Sequence, residues 1–581
     1  VKIGAENGEA FLFRDREIGA QGLTQIFTRQ IKTYADKVRE AIIVPEFPET
    51  VKRHFDFGGE LLLGHLRYGT SGNFDSVSCH PYARKSIWPT RNLLIAGNFN
   101  LTNTPDLNAS LTERGAHVIY TTDTQSILEE IGFWLDEEHD RLFKAFKDQG
   151  LEGMAVQHEI SKHLDVGNVL RKAAKHWDGG YAIAGLIGNG DSFVVRDPNG
   201  IRPCWFVRTD DLIAVASERV ALMTIIGASQ AEVQELPPGS ALIMKADGRH
   251  SVECIHPPGE RRHCSFERIY FSRGNDPDIY AERKALGAAL ADEVIRLISD
   301  DHDKAVFSYI PNTAEIAWYG LMEELRMRRR TQVRDQLREA LAKGQLDDAA
   351  IDRLVLGGWP RGEKVAHKDV KLRTFITQEK NRMQMASHVY DISYGAVREG
   401  DTLVCVDDSI VRGTTLRQSI LRILARPNPK RIVIASTAPQ IRYPDCYGID
   451  MSEMGKFLAF QAAVALCKDR GMTDLLREVY EDCVAQSLKP AAQLKNHVKR
   501  IYDAFTDKEL SAKAAELVYP TKSGWKGELV IVFQKIEALH KACPTSQGDW
   551  YFTGNYPTPG GYSVLNQAFI NFWEKREGRS Y

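Results

Sequence analysis

Residues 403–424 read LVCVDDSIVRGTTLRQSILRIL, and this stretch decides the fold around it. Leu403 to Val406 form a short apolar run without alternation, which predicts a parallel strand buried on both faces. Asp407 and Asp408 follow at its carboxyl end. Beyond the loop, Leu416, Ile420, Ile423 and Leu424 fall on one face of a predicted helix. Strand, loop and helix in that order belong to an open α/β sheet, which binds ligands at the carboxyl ends of its strands. A loop that opens a helix offers unpaired N–H groups and the positive end of the helix dipole, which suits a phosphate. Gly413 lets the backbone approach closely, and Thr414 and Thr415 add hydroxyl donors. Two adjacent carboxylates can accept hydrogen bonds from vicinal ribose hydroxyls and help hold Mg²⁺, which prefers oxygen ligands. An acidic pair after a strand is by itself an ordinary turn. The whole string points to a phosphorylated sugar.

Outward from this stretch the chain divides. Residues 1–262 read as short strands and turns with some helix, in runs such as LLLGHLRYGTSG, NLLIAGNFNLTN, GGYAIAGLI and SFVVRDPNGIRP. A polar, Pro/Gly-rich linker, HPPGERRHCS, lies near residues 256–265. Residues 263–470 alternate helices with apolar strands, the pattern of an α/β domain. Within them, residues 324–364 are dense in charge and predict a helical surface insertion. Residues 471–581 read as a helical extension ending in an aromatic tail, GDWYFTGNYPTPGGYSVLNQAFINFW, too apolar to float free.

The 581 residues exceed one compact domain. They are 43% hydrophobic and 26% charged with a net charge of -2, so nothing global points to nucleic acid or an anionic membrane. No apolar run approaches the roughly 20 residues of a membrane helix, and the first residues lack the basic start and apolar core of a signal peptide. Nine cysteines without a CxxC pair argue against a disulfide framework and for a reducing, cytoplasmic setting.

The stretch VCVDDSIVRGTT resembles the phosphoribosyl-pyrophosphate (PRPP) motif of the type I phosphoribosyltransferases. Flanking it are CSFERIYFSRGNDPDIYAERKALG, LRTFITQEKNRMQM and QIRYPDCYGIDM, and upstream lie GHLRYGTSG, GNFNLTN, TTDTQS and RDPNGIRP. In this order, from about residue 10 to 470, they resemble the glutamine PRPP amidotransferases, in a longer bacterial branch with an insertion and a C-terminal extension. The resemblance implies an α+β N-terminal-nucleophile (αββα) glutaminase domain followed by an α/β type I phosphoribosyltransferase domain. The implied reaction transfers ammonia from glutamine to PRPP, giving 5-phosphoribosylamine, pyrophosphate and glutamate, the first step of purine synthesis. It further implies a homotetramer and purine nucleotides as feedback inhibitors.

By the same resemblance Asp407 and Asp408 hold the ribose, and Ser409, Arg412, Gly413, Thr414 and Thr415 hold the 5′-phosphate. Asn312 and Thr313 fall in the pyrophosphate loop, where the family has aspartate and serine. Thr313, Asp407 and Asp408 are the expected Mg²⁺ contacts. Arg373 and Arg382 lie in the loop that closes over PRPP and excludes water. In the first half, Arg67 pairs with the glutamine α-carboxylate, Asp123 takes its α-ammonium, and Asn98 with the N–H of Phe99 faces the oxyanion. The family has Asn-Gly where this chain has Asn98-Phe99. The nucleophilic cysteine, the first residue of the mature chain in the family, has no counterpart here. The first cysteine is Cys79, at a non-matching position, and the family's opening segment is expected upstream of Val1.

Cys264 and Cys446 fall where some members ligate an iron–sulfur cluster. Cys467 and Cys483 lack close ligand spacing, so buried structural cysteines are expected instead. The alternative to an active amidotransferase is a PRPP-binding or ammonia-dependent transferase with a vestigial glutaminase half, which Phe99 favours. A regulatory PRPP-binding protein is disfavoured, because no basic DNA-reading segment is present.

Overall fold

The computed structural model describes every residue except 7–8, 67–78, 119–121, 300, 369–389, 415, 450, 577 and 579–581. The first half is built on a six-stranded antiparallel sheet. Its strands run in the order β1 (Tyr82–Arg84), β2 (Leu93–Leu101), β3 (Gly179–Ile187), β4 (Ser192–Arg196), β8 (Ser240–Met244) and β9 (His250–Cys254). A smaller sheet holds β6 (Ile213–Ala216), β5 (Trp205–Arg208) and β7 (Gln234–Glu235).

Side-chain alternation explains the layering. Tyr181, Ile183, Ile187, Phe193, Val195, Ala241 and Ile243 pack on helices through Ile127, Leu128, Ile131, Leu135, Val169 and Leu170. The intervening Ala182, Ala184, Val194 and Leu242 meet Phe206, Ile213 and Val215 of the smaller sheet. The opposite face of that sheet, Val207, Ala214 and Ala216, is covered by Leu222, Met223 and Ile226 of the helix Arg219–Ile226. The layers are therefore helix, sheet, sheet, helix. The long helix Asp123–Asp148 is capped by Thr122, whose side chain accepts from Gln125 N.

The second half carries a five-stranded sheet in the order β11 (Arg361–Gly362), β10 (Ala305–Tyr309), β14 (Thr402–Asp407), β15 (Arg431–Ser436) and β16 (Glu528–Phe533). Every neighbouring pair is parallel. Leu403 and Cys405 face one side, packed with Leu416, Ile420, Leu421 and Leu424. Val404 and Val406 face the other, with Leu321, Leu325 and Val294. Both faces of the strand are buried, as its unbroken apolar run requires. A separate antiparallel pair joins β12 (Ala366–Lys368) to β13 (Tyr390–Ile392).

Two features differ from the sequence reading. The charge-dense segment expected from residue 324 is the continuation of one helix, Glu315–Ala342, that starts directly after β10, followed by a second helix, Asp348–Leu356. The stretch read as a helical extension contributes β16, which pairs along its whole length with β15. The run LVIVF is rich in β-branched residues and sits between Gly527 and Gln534, a strand signal that the helical spacing around it obscured.

The aromatic tail is packed. Trp550, Tyr551 and Phe552 are buried, and the helix Pro559–Trp573 lies against Phe457 and Phe460. Trp550 Nε1 donates to Asp445 Oδ1 at 3.0 Å, and the Tyr556 hydroxyl donates to Pro444 O at 2.6 Å. The tail also reaches the first half, where Asp178 accepts from the Thr558 hydroxyl and from Gly560 N.

Candidate functional site

Asp407 ends β14, and its Oδ1 accepts from Asp408 N at 3.0 Å. Neighbouring strands hold the turn from both sides. Ile310 N, just past β10, donates to Val406 O at 2.8 Å. Thr437 N and Ala438 N, just past β15, donate to the carbonyls of Asp407 and Asp408 at 2.9 and 3.0 Å. The Thr437 hydroxyl adds a bond to Asp408 O at 3.0 Å. Parallel strands thus bring three chain segments together at one carboxyl edge, as the stretch 403–424 predicted.

The two carboxyls share an unfavourable setting. Burial, and then the neighbouring Asp408 charge, pushes Asp407 well above the ordinary carboxylate range. Burial pushes Asp408 up to about 6, opposed by the Ser409 hydroxyl and by the charges of Arg283 and Lys368. The Ser409 hydroxyl donates to Asp408 Oδ1 at 2.9 Å. Arg283, on the helix Pro277–Ala288, donates from Nε to Arg268 O at 2.9 Å and from Nη2 to Ser272 O at 2.7 Å. Its guanidinium is lowered by burial and raised again by Asp408, and Lys368, which ends β12, follows the same pattern. The sequence reading missed both cations. Arg283 stands in a quoted segment, but only the fold shows that its helix faces the acidic pair.

Beyond the pair, Gly413 has φ +64, and a Cβ there would lie 3.0 Å from Val518 Cγ1 and 3.2 Å from Leu458 Cδ1. The position needs glycine for both conformation and space. Leu458 N fixes the loop by donating to Val411 O at 2.8 Å. Arg412 is half-buried and Thr414 exposed, with the Thr414 hydroxyl turned to Arg412 O at 3.4 Å. Asn312 and Thr313 follow β10, beside β14, and Asn312 is exposed. They sit at the same sheet edge as Asp407 and Asp408. Arg67, Arg373, Arg382 and Thr415 lie outside the described residues.

In the first half, Asn98 and Phe99 lie on β2, opposite Ala182 and Tyr181 of β3. Asp123 opens the helix Asp123–Asp148, and its Oδ1 accepts from Thr124 N at 2.8 Å. His80 joins these elements. Its Nδ1 accepts from Gly97 N at 3.3 Å, and its Nε2 lies 3.3 Å from the Thr124 hydroxyl. Nothing in the local sequence of His80 marks it. N–H groups alternate along a strand, so the Phe99 N–H points to the same edge as that of Gly97.

The two halves meet at β2. Asn100 Nδ2 donates to Cys446 O at 2.8 Å. The buried Arg202 donates to Tyr447 O and to Glu267 Oε1. Gly448 comes so close that a Cβ there would stand 3.6 Å from Asn98 Oδ1. Of the cysteines considered as ligands, Cys264 shares a hydrogen bond with the Tyr551 hydroxyl at 3.0 Å and Cys483 lies 3.5 Å from Asn566 Oδ1. Burial pushes both thiols up to about 12. Among the described residues no three His, Cys, Asp or Glu side chains converge as a metal cluster, and no helix is long and apolar enough to cross a membrane.

No protein-family model matches the chain. Curated relatives do. The amidophosphoribosyltransferase of Pseudomonas aeruginosa is 28% identical over 414 residues, 69% of this chain and 70% of the relative. That of Escherichia coli is 27% identical over 416 residues, with the same two shares. That of Saccharomyces cerevisiae is 24% identical over 500 residues, 83% of this chain and 87% of the relative. Among solved structures, the glutamine PRPP amidotransferase of B. subtilis complexed with ADP and GMP superposes with a TM-score of 0.52 at 23% identity, covering 85% of this chain and 82% of that one. The ordered motifs, the shared fold and the acidic pair at the carboxyl edge of the parallel sheet agree, and the chain is similar to the amidophosphoribosyltransferases over 69% of its length.

Proposed function

We propose that the protein transfers ammonia, released from glutamine in its first half, to C1 of PRPP in its second, forming 5-phosphoribosylamine and pyrophosphate. The observation that carries this reading is the Asp407–Asp408 pair, set between the Asn312–Thr313 turn and the Gly413 loop at one sheet edge. The carboxylates bind the ribose hydroxyls. The N–H groups and hydroxyls of Ser409 and Thr414 take the 5′-phosphate, with Arg412 and Thr415 beside them. Asn312, Arg373 and Arg382 serve the pyrophosphate. Displacement at C1 needs positioning and charge neutralisation more than a protein nucleophile.

The donor set fits Mg²⁺. Burial raises both carboxyls, and the Asp408 charge raises Asp407 further; Mg²⁺ usually takes one or two carboxylates together with substrate phosphates. Asp407, Asp408 and the Thr313 hydroxyl would hold it, and the ion would neutralise charge on the departing pyrophosphate. The first half is read as an N-terminal-nucleophile glutaminase. The helix–sheet–sheet–helix layering supports this, with Asn98 and Phe99 at the oxyanion and Arg67 and Asp123 on the amino-acid end. Purine nucleotides are proposed as inhibitors, a homotetramer as the assembly and the cytoplasm as the location.

Phe99 favours a second reading, an ammonia-dependent transferase whose glutaminase half is vestigial. One assay separates the two. Pyrophosphate release from PRPP is measured with Mg²⁺ and either ammonia or glutamine, with glutamate release followed in parallel. Turnover with both nitrogen donors is expected of a form that begins with the nucleophilic cysteine. Turnover with ammonia alone leaves the second reading, and turnover with neither ends both.

A further inference from the structure

We propose that His80 is a positioning residue of the glutamine site, holding strand β2 and the Asp123 carboxylate in register through its two ring nitrogens. The proposal rests on reading the first half as a glutaminase. Gly97, next to Asn98, donates its N–H to His80 Nδ1 at 3.3 Å. A ring whose Nδ1 accepts carries its proton on Nε2. Nε2 therefore donates to the Thr124 hydroxyl, 3.3 Å away. That hydroxyl in turn donates to Asp123 Oδ1 at 3.4 Å. One relay thus runs from the strand that carries the oxyanion donors to the carboxylate that takes the α-ammonium. These are the two ends of a bound glutamine.

The ring is fixed on its faces as well. It stacks on His65 at 4.4 Å and 28° and on Phe99 at 5.4 Å and 25°, with Tyr82 edge-on at 5.6 Å and 85°. Phe99 is the residue that departs from the family's Asn-Gly. Its ring forms one wall of the stack, so the departure serves the same device. The stack orients the imidazole, and the imidazole orients Gly97 and Thr124. Such stacks are favourable beyond simple burial and favour one rotamer of His80.

The test compares glutamine-driven and ammonia-driven turnover in a form that begins with a nucleophilic cysteine, for wild type, His80→Ala, His80→Gln and Phe99→Gly. The relay predicts that His80→Ala raises the glutamine KM or lowers glutamine-driven turnover by about tenfold, the scale of one lost hydrogen bond. Ammonia-driven turnover should stay within about twofold, which also reports an intact fold. His80→Gln, which keeps a side-chain acceptor and a donor, should recover most of the loss. Phe99→Gly should impair glutamine use less than His80→Ala, because it removes the wall and leaves the relay. Equal loss of both activities in His80→Ala, no loss of either, or a Gln variant no better than Ala would each overturn the proposal. A wild-type protein that uses ammonia but never glutamine would instead overturn the glutaminase reading beneath it.

Discussion

Asp408→Asn should raise the stability of the ligand-free protein while abolishing its use of PRPP. Burial holds the Asp408 carboxyl at about 6, against an ordinary value of 3.8, with the favourable charges of Arg283 and Lys368 already counted. Two units correspond to about 3 kcal/mol at ~1.36 kcal/mol each. The side chain is only half-buried, so solvent screening reduces this to about 1–2 kcal/mol. The sign follows from linkage. A carboxyl raised in the folded state costs nothing at acid pH, where it is protonated both folded and unfolded. As pH rises past the ordinary value, the unfolded chain ionises first and stability falls, until the folded carboxyl ionises too. Asparagine does not titrate. The variant should therefore match wild type near pH 3 and exceed it by a growing margin up to about pH 7, by about 1–3 °C in Tm for a chain of this size. Thermal melts from pH 3 to 8 without Mg²⁺ measure this. Adding Mg²⁺ and PRPP should stabilise wild type and leave the variant unmoved. A variant less stable than wild type at pH 8 without ligand, or a difference that does not change with pH, would refute the reasoning.

Other perturbations address other parts. Gly413→Ala places a Cβ at φ +64 against Val518 and Leu458, so it should cost about 1–2 kcal/mol and weaken PRPP use, read by melts and the PRPP KM. Ile531→Ala opens a hole in β16 and should destabilise by about 2–5 kcal/mol in a urea titration, because the strand is an integral part of the parallel sheet. Asp178→Ala removes the acceptor shared by the Thr102 hydroxyl, the Thr558 hydroxyl and Gly560 N. It should cost about 2–3 kcal/mol and raise protease cleavage within the aromatic tail. Arg67→Leu should raise the glutamine KM and spare ammonia-driven turnover; equal loss of both would make Arg67 structural.

Much of the second half was legible in sequence because its signals are local. An unbroken apolar strand, an acidic pair, a glycine and an amphipathic helix follow one another within 22 residues, Leu403 to Leu424. Backbone geometry then fixes their relative positions, and the parallel sheet places Asp407 and Asp408 at its carboxyl edge. The face of Leu416, Ile420, Ile423 and Leu424 is buried as its spacing requires. The Asn312–Thr313 turn was legible for the same reason, since β10 runs beside β14 and both end at that edge.

What the sequence could not reveal depends on contacts between residues far apart in the chain. The Arg283 charge acts on Asp408 although the two residues stand 125 positions apart. β16 completes the sheet although the chain reaches it only after several intervening helices. His80 reads as an ordinary histidine before a proline, and it becomes a bridge only when β2 and the helix Asp123–Asp148 converge on its two nitrogens. The sequence by itself determined the order of strand, acidic pair, loop and helix, because strand and helix periodicity are encoded within a few turns. Only the tertiary structure decided which cations face that pair, which strand closes the sheet and how the halves meet at Asn100 and Cys446. Those contacts arise from packing apolar faces over long separations, which no local spacing records.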